Sequence, residues 1–227
     1  MYAIGDIHGR ADLLSRVFDK IDRDLANDPV DYNLQIFLGD YVDRGPCTKD
    51  VLDLLIRRRT AHHVVALKGN HEEFLLEFLS DPTVLEDWVK AGGVETLSSY
   101  GVTLGKRVNQ QVSLQAWEEF TAAMPSEHLE FIRGLRSCLT IGDIFFAHAG
   151  ARPGVPLEFQ EERDLLWIRE DFLSSDYSFG KLIVHGHTPV ANAEWRANRI
   201  NLDTGAYATG KLTCLRVQGG DFHVFSG

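Results

Sequence analysis

Three short apolar runs constrain what this chain can fold into more than any other feature. Each breaks off at a glycine followed by a dense polar cluster: "YAIGDIHG", "LQIFLGDYVDRG" and "VVALKGNHEEF". Runs of this kind predict buried strands. Between the first and second, "ADLLSRVFDKIDRDL" sets Leu13, Leu14, Val17, Phe18, Ile21 and Leu25 at helical spacing. Between the second and third, "DVLDLLIRRR" ends in basic residues, where the helix macrodipole favours them. After the third, "HEEFLLEFL" opens another helix. This alternation predicts an α/β protein with a parallel sheet portion. In such sheets a ligand site lies beyond the carboxyl ends of the strands, which is where all three polar clusters fall.

The middle of the chain reads differently. From about 80 to 135 helical patterns dominate, as in "VLEDWVKAGGVETLSSYG" and "LQAWEEFTAAM", and predict a helical insertion forming one wall of a cleft. The remainder is β-rich: "CLTIGDIFFAHAG", "KLIVHGHTP", "RINLDTGAY" and "KLTCLRVQGGDFHVF", with "QGGD" as a hairpin turn. A second sheet built from this half, packed on the first with helices outside, is the expected architecture. No repeat or long linker divides the 227 residues, so one domain over 1–227 is expected.

A formal net charge of -10 argues against non-specific association with nucleic acid or anionic membranes. No apolar run has membrane-spanning length. "MYAIGD" lacks a basic stretch followed by an apolar one, so no signal peptide is expected. The three cysteines, Cys47, Cys138 and Cys214, are far apart and form no CxxC pair. A disulfide framework is not expected, and a reducing cytoplasm fits.

The strand ends carry a coherent set of ligands. Asp6 and His8 alternate along one extended face. Asp40 ends the second run, Asn70 and His71 the third, His148 the run "FFAHAG", and His185 and His187 fall in "IVHGHTP". Carboxylate, imidazole and amide oxygen without thiolate suit manganese, iron or zinc, as a pair rather than a lone magnesium or calcium. Two such ions about 3.5–4 Å apart can activate a water for in-line attack on phosphorus. Arg44 offers a planar fork for phosphate oxygens. His71, with Asp43 close by to orient an imidazole, is the candidate to protonate a leaving alkoxide.

"GDIHG", "GDYVDRG", "GNHE", "HAG" and "HGHTP" in this order resemble the phosphoprotein phosphatase family of calcineurin-like metallophosphoesterases. The bacterial and phage-type branch is the most similar; "WVKAGGVETLSSYG" and "DLLWIRED" also look like its members. The resemblance runs from Gly5 to about Leu215. It implies a four-layer α/β/β/α sandwich of two mixed sheets. It implies that Asp6, His8 and Asp40 bind one metal, that Asp40 bridges to a second, and that Asn70, His148 and His187 complete it. His71 paired with Asp43 becomes the general acid, and Arg44 and Arg169 the phosphate-gripping pair. His185 is left as a supporting or structural residue. The implied cofactors are two divalent ions, manganese or an iron/zinc or iron/manganese pair.

The leading functional expectation is therefore a protein serine/threonine phosphatase acting on phosphoproteins or phosphopeptides, and on small phosphate esters in vitro, without nucleic-acid or membrane partners. The alternative is a symmetrical dinucleoside tetraphosphate hydrolase of the same fold; relatives of that type tend to lack the acid at Asp43 and to carry "GNHD". A phosphoprotein-binding pseudophosphatase is a third reading, which would be expected to have lost a ligand or the acid. Elsewhere the expectations are plain: His62, His63, His128 and His223 on the surface, "RRR" at 57–59 and Lys68 solvated, and Glu73 supporting only its own helical turn.

Overall fold

The computed structural model describes residues 1–30, 32–105 and 107–227. The first half alternates β1 (Tyr2–Ile4), α1 (Ala11–Asn27), β2 (Leu34–Phe37), α2 (Thr48–Ala61), β3 (His63–Ala66) and α3 (Asn70–Ser80). Four helices follow: α4 (Leu85–Ala91), α5 (Gly93–Ser99), α6 (Gln110–Ala123) and α7 (Ser126–Arg133). The second half is β4 (Cys138–Ile141), β5 (Ile144–Ala147), α8 (Glu162–Trp167), α9 (Glu170–Leu173), β6 (Leu182–His185), β7 (Glu194–Trp195), β8 (Arg199–Asn201), α10 (Ala206–Thr209), β9 (Thr213–Gln218) and β10 (Asp221–Ser226).

The strands form two five-stranded mixed sheets, ordered β10-β9-β1-β2-β3 and β4-β5-β6-β8-β7. β1, β2 and β3 run parallel, and β9 and β10 close that sheet antiparallel. In the other sheet β5, β6 and β8 are parallel, flanked by antiparallel β4 and β7. Side chains alternate across each strand and sort into layers. Ala3 and Ile36 meet Phe146, Val184 and Ile200 between the sheets. Tyr2, Ile4 and Phe37 face α1 and α2. Phe145 and Ile183 face outward onto Leu165, Ile168 and Phe172. The result is the expected helix, sheet, sheet, helix sandwich. "QGGD" makes the expected hairpin: Gln218 pairs with Asp221, and Gly219 and Gly220 have φ of 59° and 92°.

Register aligns the functional ends. Ile4 lies opposite Phe37 and Phe37 opposite Ala66, so the three polar clusters leave their strands at one level. β5 and β6 end on the same rim, joined by the Gly186 N–H donating to the His148 carbonyl at 2.7 Å.

Three of the surface expectations fail because of helix docking. His128 is buried, between the Tyr100 hydroxyl at 2.7 Å and Asp53 at 3.0 Å. Arg58 is buried in the α1–α2 contact, donating to Gln35 Oε1 at 2.8 Å and to Asp22, with its guanidinium over Phe18. Arg57 and Arg59 do remain on the outer surface. Lys68 is not free in solvent but paired with Glu162 at 2.6 Å.

Candidate metal centre

Among the described residues, five non-glycine positions have positive φ: His8, Asp40, Asp43, Arg44 and His187, between 45° and 69°. All five are site candidates from the sequence. Left-handed backbone costs side-chain-bearing residues free energy, and it clusters where surrounding structure holds it for a purpose. Here each turn tips a polar side chain inward at a strand end.

Asp6, His8, Asp40, Asp43, Asn70, His71, His148 and His187 are all buried and converge on one rim. Asp40 sits at the middle. Its Oδ2 is 3.4 Å from His8 Nε2, and its Oδ1 is 3.4 Å from His148 Nε2. Around Oδ1, the Asn70 Oδ1 atom lies 3.0 Å from His148 Nε2 and 2.9 Å from His187 Nδ1, and the two ring nitrogens are 3.2 Å apart. Those edges match donor atoms each about 2 Å from one common cation.

The tautomers agree. The Nδ1–H of His148 donates to the Leu38 carbonyl at 2.9 Å, and that of His8 to the Val42 carbonyl at 2.8 Å. The Nε2 lone pairs of both rings therefore face the centre, as metal-binding imidazoles require. Burial keeps the rings neutral, lowering His8 to about 3 and His187 to about 2. Burial also opposes charge on Asp40, and positive charge on the surrounding imidazoles, His148 foremost, would hold its carboxyl below the usual range.

Asp6 supplies the clearest sign that a cation fits. Its Oδ2 accepts the His187 N–H at 3.0 Å, while Oδ1 is buried with no hydrogen-bond partner among the described residues. Burial, then Asp203 and Asp40, push its carboxyl well above the ordinary range. Two glycines make room for these acids. A Cβ on Gly186 would stand 2.0 Å from Asp6 Oδ1, and one on Gly69 would stand 2.1 Å from Asp40 Oδ1. Gly69 itself is extended, at φ −100°; it is needed for this approach and not for a turn. The donor set therefore fits a pair of cations sharing Asp40: Asp6 and His8 with one, Asn70, His148 and His187 with the other.

His71 also faces this space, with Nε2 3.9 Å from Asp40 Oδ2, close enough to group with His8 and Asp40 as a third possible ligand. Its other nitrogen separates it from the ligands. Nδ1 is 2.7 Å from Asp43 Oδ2. Burial disfavours its charge, but Asp40 and then Asp43 outweigh that and raise its pKa. A ring that holds its proton is a poor ligand and a good acid.

Two organising residues, Trp88 and Thr96, carry no assignment from the sequence. Trp88 Nε1 donates to Asp43 Oδ2 at 2.9 Å, and Thr96 Oγ1 donates to Asp43 Oδ1 at 2.7 Å. These come from α4 and α5, so the helical insertion braces the acid behind His71. Glu72 accepts four backbone N–H groups: Asp40 at 2.9 Å, Tyr41 at 2.7 Å, Val42 at 3.2 Å and Gly69 at 2.9 Å. It clamps the loop after β2 onto α3. Tyr207, which no motif secured, borders the rim, its ring 5.3 Å from His8 and under the Arg44 guanidinium at 4.9 Å.

Arg44 and Arg169 reach the centre from its rim. Arg44 Nη1 lies 3.2 Å from His8 Nε2, and Arg169 Nε lies 3.0 Å from His187 Nε2; a cation held by His187 Nδ1 would leave the ring proton on Nε2, so Arg169 would then turn from that nitrogen toward a phosphoryl oxygen. His185 is fully buried beneath, against Phe172, with its Nδ1–H directed to the Gly186 carbonyl.

A family model described as calcineurin-like phosphoesterase matches residues 1–225. The chain is similar to the asymmetrical bis(5′-nucleosyl)-tetraphosphatase PrpE of Anoxybacillus flavithermus, 28% identical over 94% of this chain and 88% of that protein. It is similar to serine/threonine-protein phosphatase 1 of Salmonella typhimurium, 29% identical over 96% of this chain and 92% of that one. In fold it resembles the cold-active protein-tyrosine phosphatase of a psychrophilic Shewanella, with a TM-score of 0.59 and 16% identity over 99% of this chain and 79% of that one.

Proposed function

The chain belongs to the calcineurin-like phosphoesterase family, and from that premise we propose that it is a metal-dependent hydrolase of dinucleoside tetraphosphates. The similarity to PrpE along nearly the whole of both chains carries this choice. The motif set by itself favours phosphoproteins; the relatives reverse that order.

When bound, two divalent cations, manganese being the first choice, supply Lewis acidity toward phosphoryl oxygens and lower the pKa of the attacking water. Asp6, His8, Asp40, Asn70, His148 and His187 would hold them. Arg44 and Arg169 approach the two groups of ligands separately, so one phosphoryl group between them can be gripped from two directions. His71 carries a proton whose Nε2 side faces the centre, and Asp43 fixes the ring and stabilises its charge. That proton passes to the oxygen leaving phosphorus.

The same dyad favours a second reading, removal of phosphate from phosphoserine or phosphothreonine. A serine alkoxide needs a proton to leave, whereas a nucleotide departs as a stable phosphate anion. The Salmonella relative is consistent with that reading. Measuring kcat/KM of manganese-loaded protein for diadenosine tetraphosphate and a phosphopeptide side by side decides between them. A large preference for the dinucleotide is the expected result, and a large preference for the phosphopeptide overturns it. The products add the mode of cleavage: two ADP for symmetrical hydrolysis, ATP and AMP for asymmetrical.

A further inference from the structure

A cleft of about 310 Å³ opens along α8 and α9 beside the metal centre, lined among others by Trp167, Arg169, Arg152 and Arg163. Arg169 connects the two spaces, since it both lines the cleft and reaches His187. Trp167 is fixed in orientation. Its Nε1 donates to Glu73 Oε2 at 2.5 Å, and its ring meets Phe74 at 5.5 Å and His187 at 6.3 Å, both edge to face. Glu73 thus does more than support its helical turn. The two outer arginines differ. Arg152 is neutralised by Asp164 at 2.6 Å and Asp171 at 3.4 Å. Arg163 has no ion-pair partner among the described residues, and it is exposed at the cleft.

We propose that this cleft holds the nucleoside phosphate that lies beyond the scissile phosphoryl group, with the base stacked on Trp167 and an outer phosphate paired with Arg163. The inference rests on the nucleotide reading given above and adds where the nucleotide lies. A rigid indole and an uncommitted guanidinium at one opening suit a planar base joined to an anion. Of the other lining charges, Arg152 is held by Asp164 and Asp171 and Arg169 reaches His187, so Arg163 is the guanidinium the cleft offers to an outer phosphate, in a lining that also carries the acid Glu170. The volume is at the lower end for small-molecule sites. It admits one nucleoside phosphate, so the second nucleoside of a dinucleotide remains outside.

The test compares wild type with Arg163→Ala and Trp167→Leu, all manganese-loaded. The ratio of kcat/KM for diadenosine tetraphosphate to kcat/KM for para-nitrophenyl phosphate is expected to fall about tenfold or more in each variant, in line with the loss of a charged contact or a stacked base. An unchanged ratio overturns the proposal. A second arm uses ATP, with manganese in excess, as an inhibitor of para-nitrophenyl phosphate hydrolysis, and needs no dinucleotide turnover. Competitive inhibition of wild type with an inhibition constant about tenfold higher in Arg163→Ala supports the cleft. No inhibition of wild type, or the same constant in both proteins, refutes it. If the dinucleotide is not cleaved but ATP inhibition depends on Arg163, the substrate reading fails and the cleft stands.

Discussion

His71 Nδ1 lies 2.7 Å from Asp43 Oδ2, with both side chains closed off from solvent. That bond puts the ring's other nitrogen toward Asp40 and raises its pKa, Asp40 and Asp43 outweighing the cost of burial. His71→Ala should keep its metals and lose roughly 100-fold or more in kcat for a substrate with an alkoxide leaving group. The pH profile gives the sign. A general acid works while protonated, so kcat falls as pH rises through the pKa of His71. Asp43→Asn removes a group that raises that pKa, and the alkaline limb should move to lower pH. Metal content by mass spectrometry and kcat across pH check both expectations. A His71→Ala protein empty of metal would make His71 a ligand instead.

Thr96 acts on the chemistry only through Asp43. Thr96→Val removes the 2.7 Å donor to Asp43 Oδ1 while Trp88 still holds the carboxylate. The same hydroxyl accepts the Asp43 backbone N–H at 2.8 Å and meets Thr48 Oγ1 at 3.1 Å, so the expected cost is about 2–4 kcal/mol of stability for the buried hydrogen bonds lost, with a several-fold fall in kcat. In an Asp43→Asn background the same change should leave kcat nearly where it was. A double-mutant cycle measures that coupling, and additive effects would disconnect Thr96 from the dyad.

Much of this centre was legible because its residues sit where short apolar strands stop, a local pattern that a single sequence displays. All eight buried candidates converge, and the layer order of the two sheets follows from strand alternation. What was illegible is what depends on docking. Trp88 and Thr96 lie 45 and 53 positions from the acid they brace. No local window shows that α4 and α5 fold back over the loop after β2. Arg58 sits between two exposed arginines and differs from them only because α2 turns it onto Asp22 and Phe18. Gly69 is one of the glycines at which the apolar runs break off, and no local pattern shows that its missing side chain matters because Asp40 occupies that space.

Among the described residues, Asp40 is the side chain common to both ligand groups. Asp40→Asn should therefore lose metal and activity together. The wild-type protein should melt at higher temperature with manganese than with a chelator, because a ligand that binds only the folded state stabilises it. That difference should largely disappear in Asp40→Asn. Thermal melts with and without manganese, alongside metal analysis, provide the check.

Arg58→Ala should destabilise the protein by about 2–3 kcal/mol, since it strands Gln35 and removes the contact over Phe18. Arg57→Ala should stay within about 0.5 kcal/mol of wild type, as exposed substitutions usually do, and Arg59→Ala, whose guanidinium lies over Phe131 at 5.5 Å, should cost no more than about 1 kcal/mol. Urea unfolding of the three variants tests this directly. Equal effects would mean that the α1–α2 contact does not depend on the buried guanidinium.

Glu72→Gln probes the clamp beneath the centre. The carboxylate receives N–H groups from Asp40, Tyr41, Val42 and Gly69, and an amide can accept only on its oxygen. Its NH₂ would then face donors with nothing to accept, so about 2–4 kcal/mol of stability should be lost. The loop it releases carries Asp40, Asp43 and Arg44, all in left-handed backbone. Metal affinity and kcat should therefore fall although Glu72 touches neither metal nor substrate. Excess manganese should restore part of the activity, since binding energy can pull the loop back into place. Activity measured against manganese concentration separates this from a direct catalytic role, which added metal would not rescue.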